Sequence, residues 1–497
     1  MWYIWEEKMT DMYDTIAAIA TGMNQGGIGI IRVSGSNAIL AVDKMFIPKK
    51  KGKEVRQLDS YTAAYGNIIN PKDNSIIDEV IVLVMRAPYT YTKEDVVEID
   101  CHGGMQVMKN ILHVLINLNN LTEVNIDNPE YNDNFEKNTV NYNNIKVRLA
   151  RPGEFTERAF LNGRIDLSQA ESVMELISAK SEIAAKTAVS HLKGSLKNKI
   201  EDIRNELIHN IAFIESALDD PEHYSLDGFT EQLRQILESK KNEIDNLIKT
   251  ADNGRMITEG ISTVILGKPN AGKSSILNVL AGKERAIVTD VAGTTRDTLE
   301  EFISINCIPL NIIDTAGIRE TDDLVEKIGV DKSISAMEQA DLILYIIDSS
   351  VPVDENDISI MEKIKNRQVI ILSNKSDLDS VVNEEDIRKY LDHKIIEISA
   401  KNRSGFEELY EELDRLFFQG RISYNDEIYI TNERHKQALI NAVNSINMAI
   451  SSIDDGMPED FYTIDLMSAY EQLGYIIGQS VDDDLVNTIF KDFCMGK

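Results

Sequence analysis

The stretch of this 497-residue chain with the most specific chemistry is GKPNAGKSS, Gly267–Ser275. It follows the apolar run Ile261–Leu266 and precedes the helical pattern Ile276–Ala281, the strand, glycine loop and helix order of a phosphate-binding loop. Gly267 and Gly272 let the backbone turn with its amides inward, and the helix N-terminus adds partial positive charge where phosphates would sit. Lys273 is expected to reach the β- and γ-phosphates and Ser274 to ligate magnesium. Asn270, Ala271, Gly272 and Ser275 complete the expected cradle.

Four further segments follow in the order a Ras-like GTPase requires. GTTRD, Gly293–Asp297, offers Thr295 as a second magnesium ligand on a switch loop. DTAG follows the strand Leu310–Ile313 and brings Asp314 near the metal, with Thr315, Ala316 and the Gly317 amide toward the γ-phosphate. NKSD follows the strand Val369–Ser373 and contributes Asn374, Lys375 and Asp377. The Asp377 carboxylate can accept from guanine N1 and N2, an edge adenine does not offer, so the base should be guanine. Ser399, Ala400 and Lys401, after the strand Lys394–Ile398, close over that base. Ile318 stands where such domains carry the water-positioning glutamine. Glu320, Asp322, Asp323 and Glu326 are the nearest acids that could replace it.

Composition bounds what surrounds this domain. The length fits two to four domains, and a net charge of −30 argues against broad affinity for nucleic acid, which rests on Lys and Arg. Any RNA contact must be local. Cys101, Cys307 and Cys494 are far apart and form no CxxC, which argues against a disulfide framework or a zinc site and for a reducing compartment. No apolar run reaches the roughly 18 residues of a membrane span, and MWYIWEEKMTDMYD lacks the order of a signal peptide. A cytoplasmic protein is expected.

The elements that must position the chemistry read as follows. DTIAAIATGMNQGGIGIIRVSG, from Asp14, predicts strand, turn, strand, with Arg32 either an amphipathic edge residue or one aimed into a site. PKKKGKEVR, Pro48–Arg56, reads as a solvated basic loop. Strands are expected over Ile76–Met85 and Val96–Asp100 and a helix over Met105–Leu118; residues 117–144 form an asparagine-rich insertion. Ser168 and Glu171 have capping-box spacing and predict a long helix start. Helical periodicity then runs to Leu218, again over Thr230–Lys249, and resumes over Asn432–Ile453 and from Ile464. The expected fold is therefore multidomain α/β plus all-α: an N-terminal α+β domain at 1–162, a discontinuous helical domain at 163–255 and 421–497, and a Ras-like α/β GTPase domain inserted at 256–420.

DTIAAIAT, GGIGIIRVSG, EDVVEIDCHGG, LARPGEFTERAFLNGRIDLSQAE and the terminal Cys494–Lys497, together with the nucleotide motifs, make the chain resemble the MnmE (TrmE) family of tRNA-modification GTPases. The resemblance implies a homodimer that joins an FAD-dependent MnmG-type partner in a heterotetramer. That complex installs a carboxymethylaminomethyl-type group at C5 of the wobble uridine of certain tRNAs. A 5-formyl or methylene tetrahydrofolate derivative would give the one-carbon unit, and Arg32, Glu98, Arg164 and Lys497 fall on the family's folate positions. A carboxylate suits the pterin's guanidine-like edge, and basic groups suit the glutamate tail. Potassium dependence is implied too, with Asn270, Thr289, Val291 and Thr294 matching the ion's ligands and Glu326 the family's catalytic glutamate. The loop ATGMNQGG departs from the family by lacking prolines, and LDDPEHY replaces a more typical IDYPE. A ribosome-assembly GTPase would share the nucleotide motifs but carry a basic RNA-binding module, whereas these flanks are acidic and helical. In a signalling switch without folate chemistry, Arg32, Glu98 and Arg164 would be salt bridges only.

Overall fold

The computed structural model describes residues 14–22, 26–49, 53–118, 145–224, 226, 228–283, 300–305, 308–313, 340–417, 428–479, 483–491, 493 and 496. The chain divides into two compact units, Met1–Glu171 with Ser480–Lys497, and Ser172–Gln479. Among the described residues no helix is long and apolar enough to cross a membrane.

The first unit rests on a seven-stranded sheet. Its strands are β1 (Thr15–Ile19), β2 (Ile28–Ser34), β3 (Phe46–Pro48), β4 (Thr62–Ile69), β5 (Ile76–Met85), β6 (Val96–His102) and β7 (Val147–Leu149). They align in the order β3-β4-β5-β6-β2-β1-β7, antiparallel except for the parallel pair β1 and β7. Strand alternation assigns the two faces. Ile31 and Val33 of β2, with Val97, Ile99 and Cys101 of β6, share a core with helices α1 (Ala38–Met45) and α2 (Met105–Ile116). Arg32 and Glu98 therefore point to the opposite face, where Phe155 of α3 (Glu154–Leu161) packs with Ile16 and Ala18.

The helix expected near Ser168 forms, but its cap lies two residues earlier. In α4 (Leu167–Ser178), Asp166 Oδ1 accepts from the Gln169 amide at 2.9 Å and Gln169 Oε1 accepts from the Asp166 amide at 3.1 Å. Asp and Gln make the reciprocal box as well as Ser and Glu do, so Ser168 falls inside the first turn with its hydroxyl 2.7 Å from Asp166. In the basic stretch after Pro48 the described lysines, Lys49 and Lys53, are exposed as expected, and Arg56, at 21% exposure, is the exception. Arg56 pairs with Glu54 and lies 3.9 Å from the buried Asp43 carboxylate. Most of the asparagine-rich insertion lies outside the described residues.

In the second unit α5 (Glu182–Leu192), α6 (Ser195–Asp219), α7 (Phe229–Lys249) and α8 (Ala251–Glu259) lead into a six-stranded sheet. It comprises β8 (Ile261–Leu266), β9 (Glu300–Ile305), β10 (Ile308–Ile313), β11 (Leu342–Asp348), β12 (Val369–Asn374) and β13 (Lys394–Glu397). The order is β13-β12-β11-β8-β10-β9, parallel except for β9 against β10. Every residue of β11 and β12 is buried, as expected for central strands of a parallel sheet covered on both faces. Its helices are α9 (Lys273–Lys283), α10 (Glu355–Ile364), α11 (Glu384–Arg388) and α12 (Phe406–Phe417).

After the sheet come α13 (Glu433–Asp454) and α14 (Glu459–Ile477). Their Leu439, Ile446, Leu466 and Leu473 share one core with Leu207, Ile214, Leu237 and Ile244 from before it. The helical part is thus one bundle made of two chain segments. Its two crossings into the sheet domain touch: the Ile430 amide donates to Thr250 Oγ1 at 3.1 Å, and a Cβ on Gly254 would lie 2.0 Å from the Ile430 carbonyl oxygen. Adjacent ends are what an inserted domain needs.

Candidate functional sites

The phosphate loop and both base loops meet at the C-terminal ends of the parallel strands, the expected place for a ligand in an open α/β sheet. Gly267 and Gly272 hold φ of +151° and +102°, conformations that favour glycine. A Cβ on Gly267 would lie 2.4 Å from the Ile346 carbonyl oxygen, and one on Gly272 would lie 2.1 Å from Asn374 Nδ2. Asn270 takes φ +63° and is exposed, Ala271 is buried, and Ser274 and Ser275 are exposed in the first turn of α9. Lys273 Nζ donates to the carbonyls of Gly267 and Lys268 at 2.7 and 2.8 Å. Its ammonium therefore lies over the mouth of the loop.

Asn374 ties the loops together. It is 2% exposed; its Nδ2 donates to the Ala271 carbonyl at 2.8 Å and its Oδ1 accepts from the Ala400 amide at 3.2 Å. Asp377 Oδ1 accepts from the Ser399 hydroxyl at 2.6 Å, while Lys401 Nζ stands 3.6 Å from Oδ2. The Ser399 hydroxyl and the Lys401 ammonium hold the Asp377 carboxyl below its usual range, so it is an acceptor at neutral pH. Lys375, at φ +65°, pairs with Asp348 at the end of β11. Burial pushes the Asp348 carboxyl up, but Lys375 and Ser350 bring it below the usual range. Sequence reasoning passed over Asp348; its signal was an acid closing the buried run LILYIID. Thr289, Val291, Thr294, Thr295, Asp314, Thr315, Ala316, Gly317 and Glu326 lie outside the described residues.

The first unit brings another set of residues together. Arg32 and Glu98 are direct partners across β2 and β6, with Nε to Oε1 at 2.8 Å. Arg32 Nη1 donates to the Gly496 carbonyl at 3.0 Å, which brings the chain's end to the pair. Lys497 itself is outside the described residues. Arg164 turns instead to Tyr91, stacking on its ring at 4.7 Å and donating to its carbonyl at 3.2 Å. Tyr91 in turn packs on the cluster containing Phe155, whose ring lies 5.8 Å below the Arg32 guanidinium.

Beside this pair is a buried network that sequence reading missed. Glu154 accepts a bidentate pair from Arg148 at 2.6 and 2.8 Å, a further bond from Arg158 at 3.1 Å and one from the Arg151 amide at 2.8 Å. Arg158 Nη1 continues to Glu94 at 3.0 Å, which accepts from Ser34 at 2.7 Å. Burial pushes the Glu154 carboxyl up, but Arg148, the Arg151 amide and Arg158 outweigh it and bring it down to about 2. The spacing RPGEFTER carried the signal: charged residues on what is otherwise a buried helix.

A mainly parallel sheet with phosphate and base loops meeting at its strand ends, set into a two-segment helical bundle, in a chain that also carries an α+β unit, defines a multidomain GTPase. Two family profiles match, "GTP-binding protein TrmE N-terminus" over residues 15–164 and "MnmE helical domain" over residues 167–494. The tRNA modification GTPase MnmE of Lachnoclostridium phytofermentans is 52% identical over 484 residues, 97% of this chain and 99% of that protein. Its counterparts in Clostridioides difficile and Acetivibrio thermocellus are 44% and 46% identical, each across 97% of this chain and 99% of the relative. The chain belongs to the MnmE family of tRNA modification GTPases.

Proposed function

We propose that the chain hydrolyses GTP at the loop Gly267–Ser275 and uses that cycle, with an FAD-dependent partner, to modify C5 of the wobble uridine of certain tRNAs. The observation that carries the nucleotide reading is Asn374, bonded at once to the phosphate loop through Ala271 and to the base loop through Ala400. Asp377 selects guanine, and Ser399, Ala400 and Lys401 close over the base. Lys273, with Thr315, Ala316 and Gly317, meets the phosphates. In hydrolysis a bond forms from water oxygen to the γ-phosphorus and the bond to the β–γ bridging oxygen breaks; Glu326 orients that water.

The exposed Ser274 hydroxyl, with Thr295 and Asp314, suits magnesium, which would neutralise charge on the β- and γ-oxygens. Asn270, an exposed residue three positions before Lys273, suits potassium together with Thr289, Val291 and Thr294; the ion would supply the charge an arginine finger otherwise gives. A tetrahydrofolate derivative fits the donor set Arg32, Glu98, Arg164 and Lys497 and would give the one-carbon unit. On this reading 1–162 is the folate-binding and dimerisation domain, 163–255 with 421–497 the helical domain, and 256–420 the GTPase domain of a homodimer. Wobble-uridine mass spectrometry of tRNA from a deletion strain complemented with the parent, Arg32→Ala or Asp377→Asn tests the whole. The parent should restore the modified uridine and neither variant should. Full restoration by Arg32→Ala would remove the folate assignment. A parallel assay should find GTP hydrolysis faster in potassium than in sodium at equal ionic strength, and equal rates would remove the ion.

A further inference from the structure

The side chain of Lys268 leaves the phosphate loop and enters the N-terminus of α10. Its Nζ lies 2.6 Å from Asp357 Oδ2 and 3.0 Å from Asp354 Oδ2. Asp354 is half exposed and Asp357 buried, and hydrogen bonds hold both carboxylates in place. Asp354 Oδ1 accepts from the amides of Asn356 and Asp357 at 3.0 and 3.1 Å, and Asp357 Oδ2 accepts from the Asp354 amide at 3.2 Å, which makes the capping box of α10. Asp357 is 1% exposed, and its Oδ1 accepts at 3.1 Å from the hydroxyl of Tyr345, a fully buried residue of β11. The anchor thus runs from the sheet core through a helix cap to the loop.

The main chain of the same residue faces the other way. Its carbonyl accepts from Lys273 Nζ at 2.8 Å and from the Ala271 amide at 3.3 Å. Asn270, at φ +63°, lies between. Lys268 therefore stands at the turn of the loop's outer limb, with its side chain on the scaffold and its carbonyl on the ammonium that would meet phosphate.

We infer that Lys268 is a positioning residue for GTP hydrolysis: through Asp357 and Asp354 it fixes the outer limb of the loop, and with it the placement of Lys273 and Asn270 against the γ-phosphate. The inference rests on the assignment of this loop to the GTP phosphates. Solvent screens the pair little, because Asp357 is buried and the Lys268 side chain is 19% exposed. Placement of charge counts most in the transition state, so a loosened limb costs turnover before it costs nucleotide affinity.

The test uses the full chain with GTP hydrolysis and GDP affinity measured side by side for Lys268→Met, Lys268→Arg, Asp357→Asn and the combination Lys268→Met with Asp357→Asn. Lys268→Met should lower kcat by about ten- to a hundredfold and change GDP affinity by less than about threefold, since uniform binding is largely untouched. Lys268→Arg should recover most of the loss, because a guanidinium can span both carboxylates. Asp357→Asn should lower kcat in the same direction, and the combination should be no worse than Lys268→Met, because both changes remove one pair. Lys268→Met turning over within about twofold of the parent, a fall in GDP affinity equal to the fall in kcat, or additive losses in the combination would each overturn the inference. Lys273→Met reports on the underlying reading instead: if it binds GTP as the parent does, the loop is not the phosphate site.

Discussion

The two candidate sites are built in opposite ways. At the end of the six-stranded sheet, chemical groups come from loops, and short-range sequence sets them: glycines at positive φ, a helix start, an aspartate three residues after an asparagine. On the face of the seven-stranded sheet they come from the middles of strands and meet over long separations. Arg32 reaches Glu98 66 positions away and Gly496 464 positions away. Each loop takes its own geometry from its local sequence, and only the meeting of the loops rests on strand pairing. A face site depends on register, since a slip of one residue would turn Arg32 into the core and Ile31 out of it.

The largest expected effect falls on the loop side. Asp377→Asn should cost on the order of 10⁴ in kcat/KM for GTP, because a site built to accept two donors is left mismatched. It should gain activity toward xanthosine triphosphate, whose changed edge an amide can match. If GTP and xanthosine triphosphate keep the parent's ratio, base selection does not lie in this loop and the contrast between the sites fails.

Next in size is the network under the face site. Glu154→Ala takes from Arg148 its bidentate partner and leaves Arg158 with Glu94 alone of its two carboxylates, and should cost the first unit about 3 kcal/mol, the low end for breaking a buried pair, read as a shift in urea midpoint. A pH effect follows from the same carboxylate. Its folded pKa of about 2 lies below the ordinary value of 4.5, so its stabilising contribution is complete above pH 4.5 and fades as pH falls toward 2. Glu154→Gln should flatten that part of the acid unfolding curve. An unchanged curve would mean that the arginines find other partners, and the face would be less dependent on this network than its geometry indicates.

What sequence made legible follows the same division. The strands Ile76–Met85 and Ile261–Leu266 appear with the expected bounds, because short segments rich in β-branched and apolar residues, bounded by turn residues, encode them locally. The nucleotide motifs were legible for the same reason. Asn374 was expected at the base, but its bond to Ala271, 103 positions earlier, depends on the parallel pairing of β12, β11 and β8. Whether Arg32 was an edge residue or an inward one could not be read from its own strand. The pairing with β6 decides it, and that pairing is a long-range property. The cap of α4 was missed by two residues because DLSQ and SQAE both fit a box, and only the amide geometry separates them.

The smallest predicted effect tests how far the face site depends on the chain's end. Gly496 has φ +91°, and a Cβ there would lie 2.6 Å from the Ile19 carbonyl oxygen and 2.8 Å from Ala20 Cα. Backbone atoms at the end of β1 cannot yield as a flexible side chain could, so Gly496→Ala must either strain the turn, at about 1–2 kcal/mol for a left-handed residue, or lift the tail. Lifting it removes the carbonyl that Arg32 Nη1 donates to and leaves Glu98 as the guanidinium's remaining close partner in the pair. Affinity for a tetrahydrofolate derivative should then fall several-fold, by about one hydrogen bond's worth, while GTP turnover by the loop site stays at the parent's value. If the variant binds folate as the parent does, the face site is complete on its strands alone and the tail only covers it. If GTP turnover falls in step with folate affinity, the two sites are coupled, and the contrast between a self-contained loop site and a register-built face site has to be redrawn.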